Sequence, residues 1–219
     1  NELIGSNLES LSLSIDTSTY QTSPEAQHFY PFLRTVCPQL KRLEITMKNA
    51  SDKQIAIEFG DTVTEIIGQY GSKLESLTLG SLQFTIPNPF IWKIKSTVRD
   101  LTLNTVTCVR RYTVEQYEDD QGECALRALR IHSSSSSLLE LLPASMQHLR
   151  QISFVKNSAI TQQQFDALIS FENASYIHSI HIDAPNVDGL SKLVECTKES
   201  PSIRLRHVNC THTISPNVI

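Results

Sequence analysis

The sequence predicts an α/β fold: a right-handed solenoid of about eight irregular strand–helix units, curved into a horseshoe, with a parallel concave sheet and convex helices. Two observations carry this. A six-place pattern, apolar at the first, fourth and sixth places, occurs eight times, starting at Leu8, Leu40, Leu74, Val98, Leu126, Leu149, Ile177 and Leu205. Its apolar–polar–apolar end makes a short strand buried on one side. Between the copies, apolar residues recur at helical spacing. Successive copies start 23 to 34 residues apart, which is the period of a stacked repeat architecture. Crossovers between parallel strands are right-handed. Strands stack at ~4.8 Å and helices at ~8–10 Å, so such a coil must curve.

The elements follow in order. The Leu8 copy has no helix before it and leaves Leu3, Ile4, Leu8 and Leu11 at an open edge. End repeats need a polar cap, so residues 1–219 are expected to be a single domain lacking an N-terminal part. Ser23-Pro24-Glu25 reads as a helix start, and Phe29, Phe32, Leu33 and Val36 continue it to Cys37, where Pro38 stops it. Beyond Ala50, Ile55, Ile57 and Phe59 alternate like a strand. A helix is then predicted over about Asp61–Tyr70, capped by Gly60 or Asp61 and ended near Gly71. Pro87 and Pro89 shape a turn or short helix through Phe90, Ile91, Trp92 and Ile94. Thr113–Gly122 holds Glu115, Glu118, Asp119 and Asp120, an acidic run that reads as a solvated face or loop. Ser133 to Ser137 reads as a turn capping a helix over Leu138–Leu142. Thr161, Phe165, Leu168, Ile169 and Phe171 mark another helix, and Val187, Leu190, Leu193 and Val194 a last one. The tail from His212 is expected to be loosely ordered.

This arrangement resembles the leucine-rich repeat family over nearly the whole chain. The family pattern continues with Asn or Cys at the ninth place, where this chain has Asp16, Lys48, Leu82, Val106, Ser134, Asn157, Pro185 and Thr213. Only Asn157 matches, so no asparagine ladder is expected along the turns. Irregular spacing and degraded turns are most similar to the divergent repeats that follow an F-box in fungal and other eukaryotic proteins. That resemblance implies the substrate-recognition region of an F-box type ubiquitin ligase subunit. Such a region is a non-catalytic module that delivers clients to a cullin-based ligase through a Skp-type adaptor bound by an F-box, a segment not found within these residues.

Composition narrows the classes. A net charge of −4 and a single Trp92 argue against nucleic acid and anionic membranes as partners. No apolar run reaches the ~20 residues of a membrane span, and no basic-then-apolar leader opens the sequence as given. Cys37, Cys108, Cys124, Cys196 and Cys210 are scattered and odd in number, which favours free thiols in a cytoplasmic or nuclear setting. An extracellular or structural repeat scaffold is the alternative, with Asn49 or Asn173 glycosylated and the cysteines paired. A regulator of GTPases is a weaker one. No GxSxG, HExxH, GxxxxGK[ST] or GxGxxG occurs, so the expectation is no enzyme and no cofactor.

The third, fifth and seventh places of each copy point away from the buried side and form the expected concave binding face for a protein client. Early copies give small hydroxyl residues there, later ones larger polar groups. Arg130, His132, His181, Asp183 and His207 are the candidate partner-binding residues, since Arg and His engage acidic or phosphorylated groups. His178, His181, His207, His212 and Cys210 cluster late, but Cys210 should point inward and His181 and His207 outward. They are not expected to converge as structural zinc requires, so no metal is predicted.

Overall fold

Each copy of the six-place pattern runs into a strand. The computed structural model describes residues 8–16, 26–48, 52–86, 93–110, 124–132, 148–156, 177–183 and 207–210. In chain order the strands are β1 (Ser10–Asp16), β2 (Arg42–Lys48), β3 (Ser76–Gly80), β4 (Gln83–Ile86), β5 (Asp100–Asn104), β6 (Thr107–Arg110), β7 (Ala128–His132), β8 (Gln151–Val155), β9 (Ser179–Asp183) and β10 (His207–Cys210). All but β4 and β6 form one eight-stranded sheet whose spatial order is their chain order. Every neighbouring pair is parallel. The chain is therefore α/β, built on a parallel sheet.

The register is that of the pattern. The fourth places Leu11, Leu43, Leu77, Leu101, Leu129, Ile152 and Ile180 stand in one cross-strand row. Leu13, Ile45, Leu79, Leu103, Ile131 and Phe154 stand in the next. A one-residue slip would turn every one of these side chains to the opposite face, so burial of one face pins the register. From β2 to β8 both rows are buried, and they belong to one continuous core that also takes in Leu33, Phe59, Ile66 and Phe84. The first places Leu40, Leu74, Val98, Leu126, Leu149 and Ile177 are buried beneath the strand starts.

Two helices lie among the described residues, α1 (Ala26–Val36) between β1 and β2, and α2 (Lys53–Tyr70) between β2 and β3. Leu33 and Val36 of α1 are buried, and Phe29 stacks on Phe59 of α2 with ring centroids 5.6 Å apart. Phe32, expected on the same apolar face, is 39% exposed; the core face runs through positions 29, 33 and 36, and position 32 lies to its side. A 3-10 turn, Cys37–Gln39, follows with Pro38 in it.

α2 corrects the reading of residues 55–70. No strand forms at Ile55–Phe59, and neither Gly60 nor Asp61 is a cap. The helix begins at Lys53, where the Asp52 carboxylate accepts from the backbone N–H groups of Gln54 and Ile55 at 2.8 and 3.2 Å. Ala56, Phe59, Val63, Ile66 and Ile67 are buried at three- and four-residue spacing, so the helical period outweighs the brief alternation. Gly60 sits in mid-helix against β4, and a Cβ there would lie 1.8 Å from the Gln83 carbonyl oxygen. The next residue fastens the same contact. The Asp61 carboxylate accepts from the Thr85 backbone N–H at 2.7 Å and from its hydroxyl at 2.9 Å.

β4 and β6 pair in parallel as a second sheet. The chain turns into it at the eighth place of the pattern. Ser81, Thr105 and Lys156 all occupy that place with φ of 54°, 55° and 51°. This left-handed conformation is uncommon outside glycine and unusual for a β-branched threonine. The turn amides are satisfied across units: Ser81 N–H donates to the Asn104 carbonyl and Thr105 N–H to that of His132, both at 2.7 Å. Leu82 and Val106, the apolar ninth places, are fully buried where the family pattern would place an asparagine.

Residues 93–97 form a short helical turn in which the Thr97 and Val98 N–H groups donate to the Ile94 carbonyl. The cap at Ser23–Glu25, the turn at Pro87–Trp92, the acidic run, the serine tract with the helix over Leu138–Leu142, the helices from Thr161 and Val187, and the tail lie outside the described residues.

Candidate functional site

Alternation along the strands decides which side chains meet solvent. Ser12, Glu44, Thr78, Thr102, Arg130, Ser153 and His181 make one cross-strand row on the face opposite the core. Ser14, Thr46, Gly80, Asn104, His132, Val155 and Asp183 make the next. The structure thus brings Arg130, His132, His181 and Asp183 onto one surface of β7 and β9, with β8 between them. Strands two apart are about 10 Å from each other, within the joint reach of an arginine and a histidine. His207 lies in register with Ser179, at the start of β10.

Arg130 is partly held. Its Nη1 is 3.9 Å from Asp100 Oδ1, with the two side chains 41% and 48% exposed, and Nη2 donates to Gln151 Oε1 at 3.5 Å. An ion pair this open adds at most about 1 kcal/mol, so Arg130 can turn to an incoming carboxylate at little cost. His132 is half-buried, and its pKa is pushed below the ordinary imidazole value by burial first, then by the nearby His181 and Arg130. A neutral imidazole offers one donor and one acceptor. The patch therefore combines a guanidinium, two imidazoles and the Asp183 carboxylate, all suited to polar recognition. Ser153 stands between Arg130 and His181 in the row, yet no hydrogen bond joins it to His181 among the described residues. The nucleophile–base contact of covalent catalysis is not made there.

At the other end of the face, small hydroxyl residues mix with Arg42, Glu44 and Lys48, and Ser12 Oγ donates to Glu44 Oε2 at 3.0 Å. The imidazoles described on this face stand on β7 and β9.

A second polar row escaped the sequence reading. The second place of each copy, just before the strand, holds Glu9, Lys41, Glu75, Arg99, Arg127, Arg150, His178 and Arg206. Backbone bonds stack these in line: each residue's N–H, from Lys41 to His178, donates to the carbonyl of the one before it at 2.7–2.9 Å. Glu9 and Lys41 form an ion pair of 2.6 Å. That hydrogen bond and its charge hold the Glu9 carboxyl below its usual range and raise Lys41. Beside this rim lies an open groove of about 740 Å³ lined by Lys41, Lys73, Glu75, Arg99, Arg127 and His148 among others. Reading every copy at its second place would have found the row.

Cys37 and Cys124 are buried free thiols. Burial pushes Cys37 up to about 11 and also raises Cys124, so both behave as small apolar groups. Among the described residues no cluster of three or more His, Cys, Asp or Glu could hold a metal ion, and no helix is long and apolar enough to cross a membrane. No family model matches the chain, and no curated protein matches it.

Proposed function

We propose that this chain is a non-catalytic recognition module, a leucine-rich repeat solenoid that binds a protein client on its concave strand face. The observation that supports this most is the register: equal places of eight units stand side by side, so their outward side chains merge into one broad polar surface. Its imidazoles gather around Arg130, His132, His181 and Asp183, with His207 on the next strand. It reads best as the contact region for an acidic or hydrogen-bonding stretch of the client.

Within this reading, the irregular repeats are those of the substrate-recognition region of an F-box type ubiquitin ligase subunit. The chain would select the client in the cytoplasm or nucleus, and catalysis would come from the assembled ligase. Affinity purification of the full-length protein tests it. A Skp-type adaptor should co-purify with the parent protein and with an Arg130→Ala/His181→Ala variant, while recovery of the client falls about tenfold in the variant. Absence of an adaptor removes the ligase role. Partners that are all indifferent to the double substitution remove the strand face as the binding surface.

A further inference from the structure

The rim at the strand starts shows an imbalance along its length. Its first half alternates in sign, Glu9–Lys41–Glu75, and each charge has an opposite neighbour. Arg99 still stands beside Glu75, but Arg127 and Arg150 then follow it in register. Adjacent parallel strands are ~4.8 Å apart, and like charges facing across a ladder are destabilising. Among the described residues Arg99, Arg127 and Lys73 form no ion pair, in a chain whose net charge is −4. Among the described residues lining the groove, Glu75 is the single carboxylate.

We propose that this rim groove is a second binding site, separate from the strand face, for an acidic peptide segment of a partner protein. Three observations choose that occupant. The stacked guanidiniums present planar forks that pair bidentately with carboxylates. A volume of about 740 Å³ takes a stretch of chain rather than a lone inorganic ion. Among the described residues the lining carries no Phe, Tyr or Trp, the aromatic platforms on which nucleic-acid bases most commonly stack. Binding there removes the repulsion between Arg99 and Arg127 and leaves the Arg130–His181 surface open.

Fluorescence anisotropy with a short labelled glutamate-rich peptide tests this on the whole protein. The peptide should bind, more weakly as salt is added, and about tenfold more weakly to an Arg99→Gln/Arg127→Gln variant. Arg34→Gln on α1, which does not line the groove, should bind it as the parent does. The unfolding midpoint of the double variant should equal or exceed that of the parent. The proposal is overturned if the parent protein does not bind the peptide, if the double variant binds it equally, or if single-stranded RNA of the same charge binds more tightly. A lowered unfolding midpoint in the double variant overturns it too, because the arginines would then serve the fold.

Discussion

His132 shows how much a single position owes to neighbours far away in sequence. Alternation along Ala128–His132 places it outward with Arg130, and the same rule places His181 and Asp183 on their strand. That much was legible from the residues alone. The pairing of Arg130 with Asp100, and the half-burial of His132, required knowing which copy stands beside which. Burial, His181 and Arg130 all disfavour the imidazolium, so the folded-state pKa lies below the ordinary imidazole value of about 6.5. The unfolded chain then binds more protons than the folded one through the window below 6.5. The stability this contributes is fully present above the unfolded value and is lost as pH falls through the folded one. Urea midpoints measured from neutral to mildly acid pH should therefore fall, and His132→Asn should reduce that fall. An unchanged pH profile in the variant would assign the loss to other groups.

At the scale of elements, α2 and β4 form a unit that the sequence disguised. Ile55, Ile57 and Phe59 satisfy a two-residue period, and a glycine followed by an acid resembles a helix start. The longer set Ala56, Phe59, Val63, Ile66 and Ile67 settles the segment as helix, and Asp52 caps it. Gly60 is small because the β4 backbone crosses it. Alanine is ordinarily the better helix former by about 0.5–1 kcal/mol. At this position Gly60→Ala should instead destabilise by about 3 kcal/mol, since its Cβ would collide with rigid backbone rather than with a flexible side chain. Denaturant unfolding reads the sign directly; a stabilised variant would mean that β4 does not pack there. β4 and β6 themselves were hidden because Leu82 and Val106 look like failed turn residues. Their burial shows another use of the ninth place, as apolar anchors under a second sheet. The eight main strands were readable because each carries its own short pattern and needs no distant information.

Over the whole molecule, the fold rests on repetition: one six-place pattern, used eight times, sets both the buried rows and the outward ones. The polar strip at β7–β9 and the arginine rim are two consequences of the same register, seen at neighbouring places of the pattern. What single copies could not reveal is how charges add from unit to unit, which is why the rim emerged only from the stacked strands. The most direct test is a set of distances between spin labels placed at the equivalent positions Ser12, Thr78, Ser153 and His181. In an open ladder of in-register strands the separation from Ser12 grows in chain order, by up to about 4.8 Å for each strand crossed. His181 should be the farthest of the three. A His181 label closer to Ser12 than the Thr78 label is, or separations that do not follow chain order, would contradict the ladder and the binding surfaces read from it.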